Sequence, residues 1–340
     1  MKSIRLAAVM AAAMLAGTAQ AADTFVLKFG HFLPATSHHQ RLIFEPWCEK
    51  LKSESAGRLS CQLYPSMQLG GTPARLADMV RNGVADIVWT APSYSPGKFP
   101  RIEAMEQPFM LPYGARKSNP MVWKFYEDYA RDEFTDYKVL AMHSDGGMGI
   151  HTARKPVKVL ADLKDMKLRA SNRSSARLIE ALGATPVSMP PAQMTESISK
   201  GVIDGVLFTW NAMRDVKVNE VTHFHTEPSA SQPALSSTVL TMLMNKNTFN
   251  RLPDDLKAII ERNSGPALNE FIGEVWDGEM DAAFKQTPAS EIVQMSDADY
   301  QAMQTAAAQV ADNWVKEVDG KGLDGEALLK GARAISQQIQ

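Results

Sequence analysis

Residues 25–64 read FVLKFGHFLPATSHHQRLIFEPWCEKLKSESAGRLSCQLY. Phe25 to His31 is a short apolar run rich in aromatic and β-branched residues, which predicts a buried strand. Thr36 or Ser37 offers an N-cap for a helix running through Trp47 to Lys52, and Gly57 ends it. Leu59 to Tyr64 is a second strand, closed by Pro65. Strand, helix and strand in so short a span predict a doubly wound α/β sheet rather than an all-α or all-β fold.

The same grammar continues outward. Pro73 suits the first turn of a helix that stops at Gly83, and Asp86 to Thr90 (DIVWT) is a third strand ended by Ala91-Pro92. It returns downstream. Leu163 to Ala170 ends in a strand, Ser174 or Ser175 is the expected cap of a short helix closed by Gly183, and Thr185 to Met189 is a strand broken by Pro190-Pro191. A helix then reaches Lys200, and Ile203 to Phe208 is again a strand. Asn82-Gly83-Val84-Ala85-Asp86 and Lys200-Gly201-Val202-Ile203-Asp204 share Gly, Val and Asp at an offset of 118 residues. That match is short enough to arise between any two helix–Gly–strand turns, but it suggests two lobes of similar build. Long helical stretches, Pro266 to Lys285 and Ser296 to Val318, close the chain. Two α/β lobes imply a cleft, and open α/β sheets bind ligands beyond the carboxyl ends of their strands. The places to look are His31-Phe32, Trp89-Thr90, Arg169-Ala170-Ser171 and Phe208-Thr209-Trp210.

The chain has 340 residues, 45% apolar and 22% charged, which is ordinary globular usage and argues against disorder. Its net charge of −2 is not segregated, so the basic footprint of a nucleic-acid binder is missing. Lys2 and Arg5, the apolar run Leu6 to Leu15 and Ala19-Gln20-Ala21 form a secretory signal with cleavage expected before Ala22. The run is shorter than the roughly 18 residues a membrane helix needs, and Thr18 stands where a lipoprotein signal has Cys. A soluble, monomeric periplasmic protein is expected. The two cysteines, Cys48 on a predicted helix face and Cys61 on a predicted strand, point into one helix–strand interface. In an oxidising compartment they form a disulfide or stay as two free core thiols; either role is structural.

Several segments, in order along the mature chain, resemble the solute-binding proteins of tripartite ATP-independent periplasmic (TRAP) transporters, the DctP-like family. They include Tyr64-Pro65-Ser66-Met67-Gln68-Leu69-Gly70-Gly71 (family YPxxQLGG) and Gln107-Pro108-Phe109-Met110 (family LPFxF). Asp162-Leu163-Lys164-Asp165-Met166-Lys167-Leu168-Arg169 (family DLKGLKxR), Leu182 to Pro190, Gly201-Val202-Ile203-Asp204-Gly205 and Leu252-Pro253-Asp254-Asp255-Leu256 continue it. The resemblance implies a two-lobed, periplasmic-binding-protein-like α/β fold with the ligand cleft between the lobes. A long helix braces them. The implied ligand is an organic acid whose carboxylate is clamped by the Arg matching Arg169. The residue pattern agrees: Met166, Leu168 and Ala170 alternate with Lys167 and Arg169, so Arg169 leaves the core face, and a guanidinium offers a planar fork to both carboxylate oxygens.

Departures from the family pattern bear on the ligand. Where the family often has Gly-Phe-Arg, with a second Arg, this chain has Gly147-Met148-Gly149. Where dicarboxylate and sialic-acid binders usually have an Asn, it has Phe208, followed by Thr209 and Trp210. The family's Glu-Val-Tyr is replaced by Gln193-Met194-Thr195. Fewer polar groups and more aromatic walls predict a monocarboxylate with a bulky apolar, aromatic body, such as phenylpropenoate, benzoylformate or phenylacetate types. The alternative is that Phe208 and Trp210 are lobe core.

The expected ligand-binding set is therefore Arg169 with Phe208, Thr209, Trp210 and Ser171. Thr90, Trp89, Tyr94, His31, Phe32 and His151 complete it. No catalytic residue, cofactor or metal is expected: HxH at His223 and His225, and the pair His38-His39, lack acidic or Cys partners at supporting spacing. Met242 and Met244 read as core filling. The expected lobes are residues 22–146 plus about 234–274, and 147–233 plus about 275–340, after the leader 1–21. The implied partner is a TRAP membrane permease. The alternatives are a periplasmic enzyme or a sensor-linked receptor on a similar scaffold, or a C4-dicarboxylate binder.

Overall fold

A computed structural model describes residues 23–229 and 231–338; the expected leader lies outside them. The chain lays down β1 (Phe25–Gly30), β2 (Leu59–Tyr64), β3 (Ile87–Thr90) and β4 (Tyr137–Ser144). There follow β5 (Gly149–Thr152), β6 (Lys167–Ala170), β7 (Thr185–Ser188), β8 (Gly205–Phe208) and β9 (Phe224–Glu227), and finally β10 (Val239–Asn245) and β11 (Ile292–Gln294). They form two sheets, one of five strands in the order β2-β1-β3-β10-β4 and one of six in the order β11-β9-β5-β8-β6-β7. This is the two-lobed α/β fold expected.

Each sheet has a parallel part, with β1 between β2 and β3 and β6 between β7 and β8. Each also takes in one strand antiparallel to its βαβ units, β10 in the first and β5 in the second. Every residue of β10 is buried, as its near-continuous apolar run Val239 to Met244 requires at a central position. The two segments that cross between the lobes, from β4 to β5 and from β9 to β10, are hydrogen-bonded to each other. Asp145 N–H donates to the Thr238 carbonyl (3.0 Å) and Met148 N–H to that of Ser236 (2.9 Å).

The first core gathers Phe29, Trp47, Ile87 and Leu243; the second lobe holds two clusters, one around Ile150, Leu168 and Leu207 and one around Ile203, Val206 and Trp210. The helix Pro266–Gln286 spans them, with Leu268, Ile272 and Trp276 in the first core and Ala283 in the second lobe. The end of the chain departs from the expected boundary. Residues after about 275 do not all join the second lobe, because Trp314, Val318, Leu328 and Ile335 pack into the first core. In the helix Ala308–Asp319, Val310, Trp314 and Val318 share one stripe at four-residue spacing. Val310 sits in the second lobe and the other two in the first, so this helix also bridges the lobes.

Two local expectations change. The cap of the helix Arg173–Ala181 is Asn172, whose side chain accepts the Ser175 N–H (2.8 Å), rather than Ser174 or Ser175. The stretch Ser296 to Val318 is two helices, parted at Ala307. Cys48 and Cys61 are bridged, tying the helix Glu45–Glu54 to β2.

Candidate binding site between the lobes

Arg169 stands on β6, between the core-facing Leu168 and Ala170, and is only 1% exposed. Its Nε donates to the Met189 carbonyl (3.2 Å), and its guanidinium lies 5.6 Å from the centre of the Phe208 ring. Burial pulls its pKa below the ordinary value, opposed by the neighbouring Tyr94 hydroxyl and by Asp145. Among the described residues no carboxylate reaches it at ion-pair distance. A buried guanidinium without a counter-ion is costly unless something anionic completes it.

It faces a small cavity between the lobes, about 40 Å³ in volume and well below the roughly 300–1,000 Å³ typical of ligand pockets. The first lobe contributes Phe32 just after β1, Trp89 near the end of β3, and Tyr94 from the turn Pro92–Tyr94. Phe32 stacks on Trp89 with centroids 4.9 Å apart, and Tyr94 lies 5.7 Å from Phe32. The second lobe contributes Arg169, Ser171, Phe208 and Thr209. All seven are among the expected residues, and they meet beyond the carboxyl ends of parallel strands.

Four expected residues lie elsewhere. His31 Nε2 donates to Gln40 Oε1 (3.0 Å) inside the first core, where burial lowers its pKa to about 4. Thr90 is buried with its hydroxyl directed at the Pro73 carbonyl. Trp210 Nε1 donates to Glu227 (2.6 Å) and its ring packs on His151 and His225 in the second lobe, which is the core alternative; Phe208 belongs to the same core cluster but also lines the cavity. His151 is sandwiched: its Nε2 donates to the Phe208 carbonyl (3.1 Å), so its Nδ1 accepts from His225 Nδ1 (2.9 Å). Burial and the neighbouring His225 hold it well below the usual histidine pKa. Strand alternation explains Trp89 and Thr90, whose side chains take opposite faces.

Several lining residues are outside the expected ligand-binding set: His39, Asp145, Thr238 and Trp276. Trp276 arrives on the bracing helix, and Asp145 and Thr238 come from the paired crossing segments, so only the tertiary fold brings them together. Asp145 is gripped by the N–H groups of Gly147 and Thr238 (both 3.0 Å), yet burial raises its pKa to about 7. His38 and His39, neighbours in sequence, both bind Asp215 of the second lobe, at 2.7 and 2.8 Å. Burial opposes ionisation of Asp215, but these bonds outweigh it and hold the carboxyl below its ordinary pKa.

The missing second Arg also has a structural counterpart. A Cβ on Gly149 would fall 1.8 Å from Glu227 Oε1. Glu227 is held there by Trp210 and by the Tyr113 hydroxyl, and burial raises its pKa to about 7. Its carboxyl fills the space a side chain at position 149 would enter.

With this geometry in place, comparison with known proteins is informative. Residues 29–317 match the family described as bacterial extracellular solute-binding protein, family 7 (DctP). A TRAP solute-binding protein from a marine metagenome, specific for aromatic acid ligands and crystallised with 3-hydroxybenzoate, is 38% identical; the match covers 94% of this chain and 99% of that one, with a TM-score of 0.89. One from Rhodoferax ferrireducens T118, in complex with copurified benzoate, is 37% identical, covering 93% and 98%, also with a TM-score of 0.89. The 2,3-diketo-L-gulonate-binding periplasmic protein YiaO of Escherichia coli K12 is 27% identical over 319 residues, 91% of this chain and 92% of its own.

Proposed function

We propose a ligand class and a mechanism for this chain, which belongs to family 7 of the bacterial extracellular solute-binding proteins, the solute receptors of TRAP transporters. As a member it is periplasmic, and no helix among the described residues is long and apolar enough to cross a membrane. Its ligand is an aromatic monocarboxylate, captured by Arg169 and delivered unchanged, by a monomeric receptor, to a membrane permease.

The observation that carries this reading is the buried guanidinium of Arg169, with no carboxylate of the described residues in ion-pair reach and facing aromatic walls. One carboxylate completes a bidentate pair with it, strengthened by the low dielectric of the closed cleft. A second carboxylate finds no further Lys or Arg among the described lining residues and meets Asp145 instead. Phe32, Trp89 and Phe208 suit a planar ring, which gains from burial and offset stacking. The relatives crystallised with 3-hydroxybenzoate and benzoate support the same class.

Closure follows from the distribution of contacts. Phe32, Trp89 and Tyr94 belong to one lobe and Arg169 and Phe208 to the other, so a ligand touches all of them only when the lobes are shut, and binding shifts the population toward that state. Cross-lobe bonds support the shut form. Asn172 Nδ2 donates to Glu106 (3.0 Å), and the Ser171 and Thr238 hydroxyls pair at 3.2 Å.

Calorimetry with benzoate, phenylacetate and 3-phenylpropenoate against succinate and malate tests this reading. Micromolar or tighter binding of an aromatic member is expected, and tighter binding of a C4-dicarboxylate overturns it. Recovering the ligand chemically unchanged after incubation separates a receptor from an enzyme.

A further inference from the structure

Two residues that line the cavity, His39 and Trp276, each carry a buried polar atom with no hydrogen-bond partner among the described residues. His39 is 3% exposed and lines the cavity. Its Nδ1 is bound to the Asp215 carboxylate at 2.8 Å, and Asp215 is not a lining residue, so Nδ1 turns away from the space. Since a carboxylate accepts, Nδ1 carries the proton, and Nε2 is left buried with no hydrogen bond. Trp276 lines the same space and meets the His39 ring edge-on at 4.8 Å; its indole Nε1 is likewise buried without a partner.

Their place in the cavity is set by a chain of contacts. Arg169 neighbours Tyr94, Tyr94 packs on Phe32, Phe32 stacks on Trp89, and Trp89 lies 5.2 Å from His39. His39 and Trp276 are thus separated from the guanidinium by aromatic wall.

An indole N–H only donates. An imidazole whose Nδ1 is protonated accepts at Nε2 when neutral and donates when charged. The small group that answers an indole donor and serves the histidine in either state is a hydroxyl, which both gives and takes a hydrogen bond. We infer that His39 and Trp276 form a hydroxyl-recognition end of the cavity, so that the ligand is a ring-hydroxylated aromatic monocarboxylate. This rests on the aromatic-acid reading above and narrows it. An unhydroxylated ring leaves both atoms unpaired in the closed cleft, a penalty that sets the specificity.

Calorimetry on the wild-type protein with matched pairs tests it: benzoate against 3- and 4-hydroxybenzoate, phenylacetate against 3- and 4-hydroxyphenylacetate, and 3-phenylpropenoate against its 4-hydroxyphenyl analogue. At least one hydroxylated member should bind about 10-fold or more tightly than its parent. His39→Phe and Trp276→Phe, each checked for an unchanged circular dichroism spectrum, should reduce that ratio toward one, the ratio within each variant being the readout. The wild-type comparison needs no variant, so a variant that fails to fold leaves the test intact. Ratios below about twofold in every pair, as expected if a trapped water satisfies both atoms, overturn the inference. So does a preference that survives in both variants. If no aromatic acid of either kind binds, the aromatic-acid reading itself fails, which is a separate result.

Discussion

The guanidinium of Arg169 on β6 lies 5.6 Å from the ring centre of Phe208 on the neighbouring strand β8, buried and without an ion-pair partner among the described residues. The Phe208 ring supplies a cation–π contact but no charge compensation. The pair thus combines a charged anchor with an apolar wall, and the site's behaviour follows from it.

Replacing Arg169 with Met keeps most of the buried volume and removes the charge. Carboxylate binding should weaken by about 2–5 kcal/mol, the usual cost of deleting one partner of a buried charge pair. The ligand-free melting temperature should hold or rise, because an uncompensated buried charge is gone. Calorimetry and thermal melts read both, and undiminished affinity would place the anion elsewhere.

Asp145 makes binding depend on pH. Its pKa, raised by burial to about 7, rises further when an anion arrives beside it, so binding takes up a proton. Affinity for an aromatic carboxylate should therefore increase as pH falls from 8 to 6, by about three- to tenfold, while the ligand stays ionised. Asp145→Asn should flatten the profile. A profile already flat in the wild type counts against this coupling.

Gly149 and Glu227 exclude each other's neighbours. Gly149→Ala must push the Glu227 carboxyl away from Trp210 and Tyr113, and should destabilise the fold by about 1–3 kcal/mol in denaturant titrations. Adding Glu227→Ala should make the two changes non-additive, with the double variant more stable than the sum of the singles. Simple additivity would mean that the carboxyl does not fill that space.

The Cys48–Cys61 bridge closes a loop with a sequence separation of 13. Chain-entropy reasoning gives it about 3 kcal/mol of stability. The double variant Cys48→Ala/Cys61→Ala should lower the melting temperature while leaving ligand affinity within about twofold, since neither residue lines the cavity.

Much of this was legible in one dimension. The period-2 and helical patterns of residues 25–90 and 163–208 announce strands and helices because local burial imposes those periods. Arg169 was recognisable because it falls in register with a family motif, and its alternation against Leu168 and Ala170 at a strand's end agrees with that role. Trp210 was misjudged for a simple reason: an aromatic beyond a strand end serves a cleft or a core equally well, and its indole N–H found Glu227. His31, Thr90 and His151 likewise satisfy themselves inside their own lobes.

The sequence by itself determined the α/β class and the two lobes, which short-range pattern carries, while the anionic ligand and the aromatic cast of its pocket came from motifs that resemble the family and from departures from them. Only the tertiary structure decided that His39, Asp145 and Trp276 meet around Arg169's cavity, that Glu227 occupies the room beside Gly149, and that the final helix returns to the first lobe. Those juxtapositions join segments distant in sequence, such as His39 with Trp276 and Gly149 with Glu227. They depend on how the two crossing segments and the bracing helix hold one lobe against the other, and no local periodicity records that.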